Sequence, residues 1–156
     1  MPAAVGIAPI APDGAAAIAR GVCRALDQLG YASLLECPLA NGQRADILAL
    51  GRDGNLVIVE IKSSPVDFRT DRKWTRYRPF ADRLYFAVPS GFPTALIPED
   101  CGLMVADGFG AAILREAQTH PVSAGRRRAM TLRFALVAAT RLRRRLDPQA
   151  GRLDGL

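Results

Sequence analysis

The stretch RADILALGRDGNLVIVEIKSS, residues 44–64, constrains the fold more than any other part of the chain. Two runs rich in Ile, Leu and Val flank a Gly-Arg-Asp-Gly-Asn turn, a pattern that reads as a β-hairpin. Side chains alternate across a strand, so Leu56, Ile58, Glu60 and Lys62 share one face while Val57, Val59 and Ile61 take the other. The wholly apolar face must pack on a core helix. The mixed face passes from Leu and Ile to charge as the strand ends. With Arg52-Asp53-Gly54 as a three-residue loop and the glycine in the left-handed position, Gly51 pairs with Asn55. That register sets Asp46 opposite Glu60, where directly opposed Cβ atoms lie about 4.5–5.5 Å apart.

Opposed like charges destabilise a strand pair, and apolar neighbours make them costlier still. A hard divalent cation offsets that cost, because Mg²⁺ is commonly held by one or two carboxylates plus water and substrate phosphate. Lys62 lies on the same face, where an ammonium can hold an attacking water or meet developing phosphate charge. Of the chain's 21 basic residues only positions 62 and 73 are lysine. Where arginine is the default cation, a lysine aimed at two carboxylates suggests that a compact, tunable ammonium is wanted. Residue types and spacing leave two readings open at this point, a catalytic cation site or an Asp–Lys–Glu salt-bridge cluster at the solvated end of a hairpin.

The rest of the chain supplies a frame for the hairpin. Asp13 caps a predicted helix in which Ile18, Val22, Leu26 and Leu29 repeat at helical spacing, and Gly30 ends it. Residues 31–39, YASLLECPL, read as a strand stopped by an Ala-Asn-Gly turn. Ser64-Pro65-Val66-Asp67 is a helix start, with a capping serine, proline in the first position and an acidic third residue. The helix it opens is expected to run through DFRTDRKWTRY to Pro79. RLYFAVP, residues 83–89, is an aromatic-rich strand, and GLMVADGFGAAIL forms a hairpin turning at Asp107-Gly108. A final helix from Ser123 to about residue 146 turns Met130, Phe134 and Val137 inward.

The expected order is therefore α-β-β-β-α-β-β-β-α, an α/β or α+β domain around a mixed sheet. Residues 1–12 form a lead-in, 13–122 the core, 123–147 a basic helix packed on the same domain, and 148–156 a tail.

At 156 residues the chain suits one domain. A net charge of +6 and a pI near 9.9 favour polyanionic partners, nucleic acid first and an anionic membrane surface second. No apolar run is long enough to cross a bilayer, and the proline-broken start does not read as a signal peptide. Cys23, Cys37 and Cys101 are widely spaced and cannot build a zinc site with the single His120. They are expected to be reduced thiols, which suits the cytoplasm.

Asp46 followed across a hairpin by Glu60-Ile61-Lys62, after an N-terminal helix, resembles the PD-(D/E)XK nuclease superfamily. The resemblance implies a restriction-endonuclease-like core, consistent with the element order above. LGYASLLECPLANGQRADILAL, VIVEIKSSPVDFRTDRKWTRYRPFADRLYFAVP and GLMVADGFGA are together similar to the MmcB-type DNA repair family. Carried over by position, the resemblance implies Asp46 and Glu60 as metal ligands, the Ile61 carbonyl as a further ligand, and Lys62 as the catalytic lysine. Glu36 resembles the extra acidic residue that some members use. Ala45 stands where the superfamily name has proline, a loosely kept position. The implied activity is Mg²⁺- or Mn²⁺-dependent DNA hydrolysis in repair. The alternative is a non-catalytic DNA-binding repair module that positions or recruits other repair proteins.

Basic side chains near this motif are the candidates for DNA contact: Arg44, and Arg69, Arg72, Lys73 and Arg76 at helical spacing along one side. Arg126, Arg127 and Arg128 are candidates for a second phosphate-contact patch, with arginines 143–145 as a further cluster. Phe68, Trp74, Tyr77 and Phe80 read as core anchors rather than stacking platforms. Asp67 and Lys73 are candidates for supporting roles beside the carboxylates.

Overall fold

The computed structural model describes residues 14–151. The Asp13 cap, the lead-in and the last five residues lie outside them. Helix α1 (Gly14–Gln28) is followed by the strands β1 (Tyr31–Pro38), β2 (Arg44–Gly51) and β3 (Leu56–Ile61). A short helix α2 (Pro65–Thr70) and a 3₁₀ segment (Trp74–Phe80) lead to β4 (Arg83–Val88). A 3₁₀ turn (Thr94–Leu96), β5 (Gly102–Ala106), β6 (Ala111–Arg115) and helix α3 (Ala124–Leu146) follow among the described residues. The six strands form one sheet in chain order; β3/β4 and β4/β5 are parallel and the other pairs antiparallel.

The two central strands are buried on both faces, which is why LVIV and LYFAV read as continuous apolar runs rather than alternating ones. Val57, Val59, Ile47 and Tyr85 pack with Ile18, Val22 and Leu26 of α1. Leu48, Leu56, Ile58 and Phe86 face Tyr77 and Phe80 of the 3₁₀ segment and Met130 and Phe134 of α3. Leu29, the last residue of the expected α1 stripe, is exposed because the helix has already ended. Gly21 brings α1 against the β5–β6 turn so closely that a Cβ there would stand 1.9 Å from the Asp107 carbonyl oxygen.

The hairpin adopts the expected register. Ile47 pairs with Val59 and Leu50 with Leu56, Gly51 N donates to Asn55 O at 2.9 Å, and Gly54 sits at φ +83°. Ser64 caps α2 by accepting from Asp67 N at 3.2 Å, and Asp107 closes the last hairpin by accepting from Phe109 N and Gly110 N.

The expected single helix from Ser64 to Pro79 is a misreading. It stops at Thr70, the chain runs extended through Asp71, and a 3₁₀ segment resumes at Trp74 with Pro79 inside it. Phe68 and Trp74 both pack edge-on against Phe86, with ring centroids 5.3 and 5.6 Å away, and Tyr77 and Phe80 are buried. The aromatics are core anchors.

A buried carboxylate joins the layers. Asp82 accepts from Leu56 N at 2.8 Å, from Val122 N at 2.9 Å, and from both terminal nitrogens of Arg127 at 2.7 Å. The same guanidinium donates to Gly54 O in the β2–β3 turn at 2.9 Å. Arg127 therefore holds α3 to the sheet, and this structural task competes with the phosphate contact expected of it. The three cysteines are free; Cys37 and Cys101 are buried and Cys23 only partly.

Candidate active site

The end of the β2–β3 hairpin opens into a cleft of about 1110 Å³. Its floor carries Asp46, Glu60, Ile61 and Lys62; Ala15, Ala19 and Arg20 of α1 form one wall, and Asp71, Arg72 and Lys73 another.

The two carboxylates interlock. Asp46 N donates to Glu60 Oε1 at 3.1 Å, and Ile61 N donates to Asp46 Oδ2 at 2.8 Å. Hydrogen bonding of each carboxylate to the other strand's backbone fixes both side chains at the strand ends. Glu60 is only 3% exposed and Lys62 7%. Burial, reinforced by the Asp46 charge, pushes the Glu60 carboxyl up to about 9. Asp46 is also raised, by burial and by the Glu36 charge, with the Ile61 amide working against the shift. Two desolvated carboxylates that resist joint ionisation form a hard-oxygen pair that a divalent cation would stabilise.

Glu36 completes the row. Leu35 pairs with Ile47 and Cys37 with Ala45, which leaves Glu36 opposite Asp46 on the next strand. It has φ 51°, the one non-glycine residue in the left-handed region among those described. Such backbone costs of order 1–3 kcal/mol and persists only where surroundings enforce it. The kink breaks alternation: Leu34 and Cys37 join the same core, although they are three residues apart. Arg141 of α3 binds the carbonyls of Leu35 and Glu36 and so pins the kink from behind. The Glu36 side chain is exposed at the rim of the cleft and ion-paired with Arg44.

Lys62 is held by Asp71, whose Oδ2 takes the ammonium while Oδ1 accepts from Lys73 N at 2.7 Å. This is the physical reason for the early end of α2. Turning Asp71 out of the helix lets one carboxylate satisfy a buried ammonium and accept from the Lys73 amide. Burial pushes Asp71 up, but the Lys62 ammonium and the Lys73 amide overcome it and hold its carboxyl below the usual range. Tyr77, also in the cleft, donates to Arg44 O at 3.1 Å. Burial and the nearby Glu60 and Asp46 charges push its phenol upward, so it stays neutral.

The break in α2 also divides the basic row. Lys73 lines the cleft, Arg72 lines both the cleft and a neighbouring groove that it shares with Arg69, Phe68 and Trp74, and Arg76 is exposed on the next turn. The four do not form one stripe. Asp67 serves the α2 cap and accepts from Ser63 Oγ at 2.7 Å. Arg126 lies over the Phe80 ring at 4.6 Å, Arg128 is exposed, and neither these two nor Arg127 lines the cleft. Arg20, Asp71 and Tyr77 were not singled out as site residues by the sequence. Only their type and the Asp71 break in an otherwise basic run hinted at them.

Among the described residues no group of three or more His, Cys, Asp or Glu side chains is drawn into a ready-made cation cage. None of the described helices is long and apolar enough to cross a membrane.

Comparison with known proteins gives two matches. A family model described as "DNA repair protein MmcB-like" covers residues 7–149. The solved structure of the SPO1766 protein of unknown function from Silicibacter pomeroyi is similar at 38% identity, with a TM-score of 0.83 over 88% of this chain and 94% of that one. No curated protein matches.

Proposed function

The chain belongs to the MmcB-like family of DNA repair proteins, and from that premise we propose that its cleft is the active site of a metal-dependent DNA phosphodiesterase of the PD-(D/E)XK type. The observation that carries the reading is the interlocked Asp46–Glu60 pair with Lys62 just past the end of β3. A Mg²⁺ or Mn²⁺ ion fits the donors: two carboxylates, the Ile61 carbonyl, and remaining places for water and substrate phosphate. Bound there, the ion would lower the pKa of a coordinated water and polarise the scissile phosphate.

The protein's own groups do the rest. Lys62, oriented by Asp71, steadies the attacking water or the charge that grows on the phosphate. Arg72 and Lys73 at the rim, with Arg20 across the cleft, neutralise flanking phosphates. Glu36, paired with Arg44, is placed to support Asp46 from the neighbouring strand.

The test incubates the protein with duplex, branched, flapped and single-stranded DNA in Mg²⁺, Mn²⁺ or chelator. Metal-dependent cleavage abolished by Asp46→Ala, Glu60→Ala and Lys62→Ala is the expected result. Tight, salt-sensitive binding without cleavage under any condition would replace the proposal with the non-catalytic repair module. Cleavage that survives all three substitutions would place the chemistry elsewhere.

A further inference from the structure

A second opening adjoins the cleft, a groove of about 400 Å³ lined by Phe68, Arg69, Asp71, Arg72, Trp74 and Thr75. Asp71 and Arg72 line the cleft as well, so the segment that ends α2 is a wall shared by the two. Phe68 and Trp74 use only part of their rings as anchors. Each meets Phe86 edge-on, with interplanar angles of 77° and 75°, and each stays only partly buried against the core. Arg78 stands 6.0 Å from the Trp74 ring centroid. What the two rings leave exposed gives the groove its aromatic lining, and the exposed Arg69 and Arg72 give it cations.

These features select the ligand. The volume lies at the small end of the range for small-molecule sites, roughly 300–1,000 Å³, and suits one flat ring system. Aromatic rings beside guanidinium groups favour a ligand that offers a π-face next to negative charge. A nucleotide has both, and the adjoining cleft is where its phosphate backbone would run. A base inside a duplex has its faces stacked and its edge paired, so it cannot enter. The α1 wall of the cleft points the same way. Besides Arg20 it offers Ala15, Ala16 and Ala19, whose side chains have no donor for the phosphates of a second strand.

We propose that this groove is a base-stacking subsite that takes one unpaired nucleobase beside the phosphate held in the cleft. The proposal rests on the reading of the cleft as a DNA site and adds its substrate class. That class is single-stranded DNA, or a duplex with an unpaired strand at the cutting point, rather than a continuous duplex. Arg72, on the shared wall, is placed to meet the phosphate between the two nucleotides.

Trp74 is the chain's only tryptophan, so its fluorescence reports on the groove directly. Three probes are titrated against the full chain in Ca²⁺ and in chelator: a blunt hairpin duplex, the same hairpin with an unpaired thymidine tail of about eight nucleotides, and that tail with every base replaced by an abasic site. The thymidine tail is expected to quench Trp74 saturably and the blunt hairpin to leave it unchanged. The abasic tail keeps the phosphates, and should bind about tenfold or more weakly than the thymidine tail without quenching. Trp74→Leu, checked for folding by circular dichroism, should bring the two tails to equal affinity, read by anisotropy of a labelled strand. If that variant does not fold, the abasic comparison in the wild type decides by itself. An abasic tail that binds as tightly as the natural one, or equal quenching by the blunt hairpin, overturns the proposal and leaves the cleft a DNA site. Equal quenching by thymidine monophosphate at the same concentration would make the ligand a free nucleotide and overturn it too. No binding of any DNA would overturn the reading of the cleft itself, and the subsite with it.

Discussion

Replacing Arg127 with leucine separates a structural arginine from a DNA-binding one. The wild-type guanidinium spans both oxygens of buried Asp82 and reaches the Gly54 carbonyl. Burial pushes the Asp82 carboxyl up, but Arg127 and the amides of Leu56 and Val122 overcome it and hold it down from 3.8 to about 2. A shift of that size corresponds to about 2 kcal/mol of stability. Breaking a fully buried ion pair costs about 3–5 kcal/mol. Arg127 keeps about a third of its side chain in water, and two backbone donors to Asp82 remain, so the expected loss is about 2–3 kcal/mol. The sign with pH follows from the folded pKa lying below the unfolded one. The contribution is complete above about pH 4 and is lost as pH falls through 2. Urea unfolding at pH 7 and pH 3 should show a deficit for Arg127→Leu that narrows with acid. DNA affinity and its salt slope, measured where both proteins are folded, should be unchanged. An unaltered unfolding midpoint combined with a smaller salt slope would refute the structural assignment and return Arg127 to the DNA interface.

Other substitutions probe the cleft and the packing. Because the folded pKa of Glu60 is raised to about 9, wild-type stability falls as pH rises from 4.5 towards that value, and Glu60→Gln should raise the melting temperature at pH 8. Mg²⁺ at a hundred times its dissociation constant should stabilise the wild type by about 2.7 kcal/mol and the glutamine variant by much less, read by thermal unfolding. Asp71→Asn should lower the single-turnover cleavage rate about ten- to a hundredfold while leaving DNA affinity nearly unchanged, since it releases Lys62 rather than a phosphate contact. Gly21→Ala should cost about 1–3 kcal/mol in urea unfolding, because its Cβ would run into the backbone of the β5–β6 turn.

Local chemistry made the hairpin legible. Gly54 in a three-residue loop fixes the register, and the register alone brings Asp46 to Glu60. Ser64, Pro65 and Asp67 announce α2, and Asp107 announces the last hairpin, because caps and turns are settled within four residues. The features that escaped are settled across longer separations. Nothing in DFRTDRKWTRY breaks a helix before Pro79; the break comes from Lys62, nine residues back, claiming Asp71. Asp82 and Arg127 are 45 residues apart, so nothing local marks the arginine as engaged. The left-handed backbone at Glu36 is enforced by Arg141, 105 residues away. Arg20 enters the cleft because α1 crosses the sheet beside the carboxylates, which helical periodicity cannot reveal.

The central claim is that Asp46 and Glu60 jointly hold a divalent cation. Anomalous diffraction from crystals of the wild-type protein equilibrated with Mn²⁺ measures this most directly. The expected result is one manganese peak beside the carboxylates of Asp46 and Glu60, absent in Asp46→Ala crystals. Well-ordered crystals at saturating Mn²⁺ with no peak between the two carboxylates, in protein shown to cleave DNA in the same buffer, would contradict it.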